Sequence, residues 1–212
     1  MKNYIFDFDG TLAESGSTAI LATQSAFKKF GLIIPNEEVI EHYMGIPIEI
    51  SFRKMANKDF TDIKFEDLLN NFRDNYKKFE IENLRLFTDM DKVLSELYKN
   101  EKNLFVVSSK HSTALIRNLE QLNVLKYFKG VSGSDNVENF KPAPDGILNI
   151  LKRFSINKED TVMIGDATYD LQMGKSAGVK TCAVTWGAHK VEELESENPD
   201  YLISDVKEIL NL

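Results

Sequence analysis

The stretch Tyr4-Ile5-Phe6-Asp7-Phe8-Asp9-Gly10-Thr11, near the start of the chain, decides the fold. Its apolar residues predict a buried strand over 2–8 that ends at Gly10. Two carboxylates follow the apolar run directly. A strand that is apolar on both faces is typical of a parallel sheet covered by helices, and the ligands of such sheets bind where the strands end. We therefore expect the two aspartates to lie at a functional site.

Beyond this strand, the second part of the chain alternates between short apolar strands and helices. The predicted strands are 104–107, 130–131, 161–164, 180–184 and 201–203. The predicted helices are 88–100, 111–122, 144–154, 168–177 and 191–195. This alternation predicts an α/β fold with a doubly wound parallel sheet.

Residues 14–81 do not follow this alternation, because they show helical spacing and no convincing strand. The clearest apolar stripe at helical period is Phe65, Leu68, Leu69, Phe72, Tyr76 and Phe79. We predict a helical cap at 14–81 inserted into a single α/β core made of 1–13 and 82–212. The turn Gly45-Ile46-Pro47 is the segment of the cap expected to meet a substrate.

Composition narrows the function classes. The 212 residues carry a net charge of −7, and the basic residues do not cluster, which argues against a nucleic-acid or anionic-membrane partner. No apolar run reaches the roughly 18 residues of a membrane span. The single cysteine, Cys182, excludes a disulfide framework and a zinc site built from cysteines. Asp7 and Asp9 interrupt any signal-peptide apolar region, so we expect a cytoplasmic protein.

Polar residues also follow two other predicted strands. Ser108 comes after 104–107, while Asp166 comes after 161–164 with Asp170 four residues further on. If these strands are neighbours of the first, three or four carboxylates converge beside a serine hydroxyl. Taken singly, Ser108 and Asp166 are equally well explained as helix N-caps. An Asp-x-Asp-Gly run can also begin a calcium loop, but the glutamate that such a loop needs is replaced by Thr18.

Convergent carboxylates repel one another unless a cation neutralises them. A site with only oxygen ligands favours Mg²⁺, which bridges to the phosphate of a substrate. Lys141 stands in a loop before Pro142 and would supply a fixed positive charge. Together these groups predict phosphoryl transfer through an aspartyl-phosphate, with a small phosphorylated metabolite as the partner.

At four places the sequence resembles the haloacid dehalogenase (HAD) superfamily. The matching segments are Asp7 to Leu12, Ser108, Lys141-Pro142-Ala143-Pro144, and Gly165-Asp166 with Asp170. The helical insert after the first segment looks like the cap of the phosphoglycolate-phosphatase-like branch. The resemblance implies a phosphatase with a Rossmann-like core.

The resemblance also implies a role for each matching residue. Asp7 would be the nucleophile and Asp9 the general acid and base, while Ser108 and Lys141 would hold the phosphoryl oxygens and the nucleophile. Mg²⁺ would be bound by the carboxylates of Asp7 and Asp166 and by the backbone carbonyl of Asp9. Asp170 would support the metal without touching it. Gly10, Ser109 and Lys110 adjoin these residues and are predicted to contact the substrate.

Three other functions compete with the phosphatase. A sugar-phosphate mutase of the same branch would need the cap to hold a bis-phosphorylated intermediate, and no paired Lys/Arg signature is evident there. A halogen-removing enzyme has no use for the acid at Asp9. A phospho-acceptor signalling domain also uses an aspartate and Mg²⁺, but its acidic pair lies on another strand, and it has no helical insert after the first strand.

Overall fold

The computed structural model describes residues 1–56 and 61–212. Strand β1 (Asn3–Phe6) comes first and is followed by a short strand, β2 (Ala13–Glu14). The other strands are β3 (Arg85–Leu86), β4 (Asn103–Val107), β5 (Gly130–Ser132), β6 (Thr161–Gly165), β7 (Lys180–Val184) and β8 (Tyr201–Ile203). The helices are α1 (Gly16–Lys29), α2 (Glu37–His42), α3 (Ile48–Ala56), α4 (Asp62–Asn83), α5 (Met90–Lys99), α6 (Ser112–Gln121), α7 (Asp145–Phe154), α8 (Thr168–Ala177) and α9 (Val191–Ser196).

Six of the strands form one parallel sheet in the order β5-β4-β1-β6-β7-β8. The first strand is central: Phe6 lies beside Val106 of β4 on one side and Ile164 of β6 on the other. Apolar clusters cover both faces of the sheet, which is why its strands are continuously hydrophobic. The predicted doubly wound α/β fold is confirmed. It places the ends of β1, β4 and β6 side by side.

Helices α1, α3 and α4, which together with α2 form the helical unit, share an apolar cluster of their own. Phe27, Phe52, Leu68 and Leu69 are fully or almost fully buried in it, and two ring pairs, Phe27–Phe52 and Phe52–Phe72, pack edge to face. A separate core of this kind is what the helical periodicity predicts. The domain boundaries at 14 and 81 stay a prediction.

The prediction of no strand within 14–81 was wrong at Glu14, the second residue of β2. Strands β2 and β3 pair antiparallel, with Glu14 opposite Arg85, and the two side chains form an ion pair in which Nε and Oε2 are 2.6 Å apart. A two-residue strand has no period that a sequence pattern can reveal. This two-stranded ribbon pairs the segment that leads into the helical unit with the segment that leaves it.

None of the helices within 1–56 and 61–212 is both long and apolar enough to cross a membrane.

Candidate active site

The site is built at the carboxyl ends of β1, β4 and β6. Asp7 follows β1 directly, and its N–H donates to the carbonyl of Ile164 at 2.9 Å. Ser108 follows β4 and Asp166 follows β6. All three side chains are buried. The convergence expected from the strand ends is therefore present, because these three strands are neighbours in the sheet.

A buried lysine links two of the carboxylates. Lys141 Nζ donates to Asp7 Oδ1 at 2.7 Å and to Asp170 Oδ1 at 2.6 Å, and its side chain is only 3% exposed. Burial alone would lower the pKa of Lys141, but the negative charges of Asp170 and Asp7 more than offset this and raise it. The lysine is therefore a permanent cation between the two acids.

One lysine does not neutralise the whole cluster. Oxygen atoms of Asp7, Asp166 and Asp170 lie within 4.8 Å of one another. Burial raises the pKa of Asp7 well above its ordinary value, and the nearby Asp170 and Asp166 raise it further, against the opposing effect of Lys141. Burial and the charge of Asp170 raise the pKa of Asp166 to about 7. The cluster carries more negative charge than its burial tolerates without a further cation.

The surroundings of Asp166 fix its carboxylate from two sides. Oδ1 accepts from the Thr11 hydroxyl and Oδ2 from the Ala188 N–H, both at 2.8 Å. Gly10 has a φ of +80°, and a Cβ there would lie 2.2 Å from Asp166 Oδ2. Only glycine fits this position, for both the backbone angle and the space. The predicted substrate contact of Gly10 stays a prediction.

The donor set fits a small divalent cation. It consists of carboxylate oxygens alone, which is the ligand chemistry of Mg²⁺. Asp170 already binds a cation, because its Oδ1 accepts from Lys141, and its Oδ2 accepts from the Ala167 N–H at 3.1 Å. The two oxygens of Asp166 accept only from neutral donors. Asp170 therefore suits a supporting position better than direct ligation. The carboxylates of Asp7 and Asp166 are left as the side-chain ligands.

Asp9 belongs to a different environment from Asp7. Its carboxylate is not part of the three-acid cluster but accepts from Lys110 Nζ at 2.8 Å. The same nitrogen donates to the Tyr76 hydroxyl at 2.8 Å and to Asn118 Oδ1 at 3.2 Å. Burial alone would lower the pKa of Lys110, but Asp9 and Tyr76 raise it overall. Asp9 is thus paired with a lysine whose other partners include a residue of the helical unit.

The two serines after β4 have separate partners. Ser108 Oγ accepts from the N–H of Lys110 at 3.2 Å, while Ser109 Oγ donates to the carbonyl of Gly45 at 2.7 Å. A Cβ built on Gly45 would lie 3.3 Å from Cβ of Ala167. The turn that begins at Gly45 therefore contacts the core at the rim of the site. The predicted roles of Ser108 and Ser109 toward substrate stay predictions.

A cavity of about 520 Å³ is lined by both the helical unit and the core. Asp9, Ser109 and Lys110 line it from the core side. The helical unit contributes mostly apolar side chains together with Arg73, Tyr76 and Lys77; the apolar ones include Ile40, Tyr43, Ile46, Ile48, Phe52 and Phe72. A cavity of this size and composition suits a small organic ligand.

Sequence reasoning missed three residues near Asp9, namely Tyr76, Glu80 and Asn118. Tyr76 belongs to the apolar stripe of α4, which predicts a core position and no role for its hydroxyl. Glu80 offered a usable signal: it is an acid next to the apolar stripe of α4, and a charged residue at a position that periodicity buries is generally paired. Asn118 gave no signal, since its partners come from distant parts of the chain.

Comparison with known proteins agrees with this geometry. A family model described as haloacid dehalogenase-like hydrolase matches residues 4–184. A protein of Caldanaerobacter subterraneus subsp. tengcongensis that is named as a PpaX pyrophosphatase is 32% identical to this chain. The match covers 98% of this chain and 92% of the relative. A phosphoglycolate phosphatase of Aquifex aeolicus is 28% identical over 100% and 96% of the two chains. The structure of a haloacid dehalogenase-like hydrolase from Streptococcus pneumoniae superposes with a TM-score of 0.86 at 25% identity, over 100% and 97% of the chains.

The chain belongs to the HAD-like hydrolase family, since the family model spans most of its length. It is an enzyme with phosphatase activity, the class to which the names of the two relatives above refer. The resemblance inferred from the four sequence motifs is confirmed.

Proposed function

We propose that this enzyme is a Mg²⁺-dependent phosphatase of small phosphomonoesters that works through an aspartyl-phosphate on Asp7. One observation carries the proposal. A buried carboxylate held by Lys141 lies in an acidic cluster at the strand ends, while Asp9, two residues away, faces the cavity that would hold the leaving group. Nucleophile and acid/base thus have separate places on one strand end.

The reaction proceeds in two displacements. In the first, the free oxygen of the Asp7 carboxylate attacks phosphorus, and the bond from phosphorus to the leaving oxygen breaks while Asp9 transfers a proton to that oxygen. In the second, water attacks the phosphorus of the aspartyl-phosphate, Asp9 takes back a proton, and the carboxylate of Asp7 is restored with release of phosphate. Lys141 holds the other oxygen of Asp7 throughout and orients the attack.

Magnesium would be held by the carboxylates of Asp7 and Asp166 and by the backbone carbonyl of Asp9. When bound, it supplies positive charge that neutralises the carboxylates and stabilises charge developing on the phosphoryl oxygens. Ser108 would hold a phosphoryl oxygen, as would Lys141 once the phosphoryl group is in place.

The names of the relatives suggest two substrates to test first, phosphoglycolate and pyrophosphate. We favour the phosphomonoester, because the cavity of about 520 Å³ beside Asp9 is mostly apolar on its cap side and larger than pyrophosphate requires. Lys77 in the same lining would attract an anionic group on the organic part, whereas Arg73 is already paired with Glu49 and Glu66. Closure of the helical unit would exclude water from the site.

The test is turnover of p-nitrophenyl phosphate, phosphoglycolate and pyrophosphate by the purified chain, with Asp7→Asn as the control. We expect many turnovers in Mg²⁺, none in EDTA, and recovery when Mg²⁺ is added back. Release of at most one equivalent of product per enzyme would indicate a phospho-acceptor domain and contradict a phosphatase. Full activity in EDTA would contradict the requirement for Mg²⁺ but not the phosphatase activity.

A cytoplasmic location is part of the proposal. Cys182 is a free, buried thiol, and burial raises its pKa to about 12. A lone thiol of this kind packs as a small apolar side chain and is compatible with a reducing compartment.

A further inference from the structure

The ammonium group of Lys110 has a complete set of protein partners. An ammonium offers three N–H donors, and Lys110 directs them to Asp9, Tyr76 and Asn118. The nitrogen also lies 4.8 Å from the centre of the Phe8 ring and 4.5 Å from that of Tyr76, within the range of cation–π attraction. A lysine bound in this way has a fixed position and no donor left for a phosphate.

Two of these partners depend on the helical unit. Tyr76 comes from α4 and contacts Lys110 directly. Glu80, one turn further along α4, accepts from Asn118 Nδ2 at 2.7 Å, which orients the amide so that its oxygen faces Lys110. Arg117 holds the Glu80 carboxylate with two hydrogen bonds of 2.7 and 3.0 Å. Helix α4 therefore completes the surroundings of Lys110 from one side.

Lys110 engages only one oxygen of Asp9. The hydrogen bond goes to Oδ1, and no donor among residues 1–56 and 61–212 is bonded to Oδ2. Asp9 lines the cavity, whereas Asp7 does not. With Oδ1 held, the second oxygen is free to exchange a proton with a group in the cavity.

We propose that Lys110 is a positioning residue that holds Asp9 in the orientation for proton transfer, and that Tyr76 makes this orientation depend on docking of the helical unit. The proposal rests on the phosphatase function given above. It differs from a role in substrate binding, because the donors of Lys110 are used within the protein. Docking of α4 would then both close the site and prepare its acid.

The experiment compares Lys110→Met and Tyr76→Phe with Lys78→Met, a control on the exposed side of α4. The first displacement is followed by rapid quench with an alkyl phosphate and with p-nitrophenyl phosphate. A positioned acid contributes roughly 10²–10⁴-fold, so losing its orientation should slow the alkyl phosphate about 10- to 100-fold in Lys110→Met. The p-nitrophenyl ester needs little protonation and should change less than about threefold. Tyr76→Phe should show the same selectivity at about 3- to 10-fold, since one hydroxyl is lost.

Two further measurements distinguish positioning from other roles. Inhibition by inorganic phosphate should be unchanged, and Lys110→Met should add almost nothing in an Asp9→Asn background, because both changes remove the same function. Weaker phosphate inhibition with equal losses on both esters would instead make Lys110 a substrate ligand. Additive losses with Asp9→Asn would also overturn the proposal.

Tyr76→Phe keeps the test decisive if Lys110→Met does not fold, since it removes a single oxygen. Equal losses on the two esters in Tyr76→Phe would overturn the link to the cap. Failure of the wild-type chain to turn over p-nitrophenyl phosphate in Mg²⁺ would count against the phosphatase itself, whereas normal wild-type turnover with unselective variants counts only against this inference.

Discussion

Asp7 and Asp9 stand two residues apart, and each is paired with a lysine, but the two pairs are built differently. The Asp7–Lys141 pair is supplied by the core alone, and both side chains are 3% exposed. The Asp9–Lys110 pair is 20% and 12% exposed and borrows Tyr76 from the helical unit. One pair is sealed, and the other opens onto the cavity.

This difference shows how two equal residue types can acquire unequal roles. The environment of Asp7 is formed by the sheet and its loops alone, so the proposed nucleophile is preorganised. The environment of Asp9 is complete only when α4 packs against α6. The phosphoryl group would meet a fixed site, while proton transfer would depend on a contact between two parts of the molecule.

The largest effect is expected at the sealed pair. Asp7→Asn places an amide where a nucleophilic oxygen is required, so activity on every substrate should fall by about 10⁶-fold, to background. The variant should remain folded, because it removes a buried negative charge from a crowded cluster. Phosphate release and circular dichroism check the two statements. Substantial residual turnover would contradict the role of Asp7.

A selective effect is expected at the open pair. Asp9→Asn should slow the first displacement by roughly 10²–10⁴-fold with an alkyl phosphate and far less with p-nitrophenyl phosphate, whose leaving group needs no proton. The second displacement should be slow for both. A burst of up to one equivalent of nitrophenol and a mass increase on Asp7 would show the trapped phosphate. Equal losses on both esters without trapping would make Asp9 a structural residue.

A smaller change is expected where the helical unit faces the cavity. Ile46 lines the cavity, so Ile46→Ala should alter the ratio of kcat/KM between a small and a bulky phosphomonoester by about 3- to 10-fold, in line with the 1–3 kcal/mol that an apolar contact supplies. Ile33→Ala is the matched control, since Ile33 is 87% exposed on the same unit. A uniform loss on both substrates would argue against a role of this turn in specificity.

The smallest effect is expected for the cluster of Asp7, Asp166 and Asp170 in the absence of metal. The pKa of Asp166 is raised from 3.8 to about 7. Between these two pH values, Asp166 holds a proton in the folded state that it has released in the unfolded chain. Stability in EDTA should therefore fall as the pH rises from about 4.5 to 7, more steeply in the wild type than in Asp166→Asn. Thermal denaturation measures both. Saturating Mg²⁺ should flatten the wild-type curve, and identical slopes in EDTA would contradict the raised pKa.

Much of the core was predictable from local patterns. Strands β7 and β8 and helix α8 have the bounds that periodicity and glycine placement predict. The first strand ends at Phe6 instead of Phe8, because pairing with β4 and β6 stops there. The strand ends also predicted that Asp7 and Asp166 lie together if their strands are neighbours, since parallel strands bring their carboxyl ends to one edge.

The sequence by itself therefore determined the α/β class and the position of the aspartates at strand ends, because each depends on short-range periodicity or on the geometry of a strand end. Only the tertiary structure decided that Lys110 is bound by Asp9, Tyr76 and Asn118, three residues that come from separate parts of the chain. Such contacts leave no local pattern, since their hydrogen bonds form only after the helical unit has packed on the core.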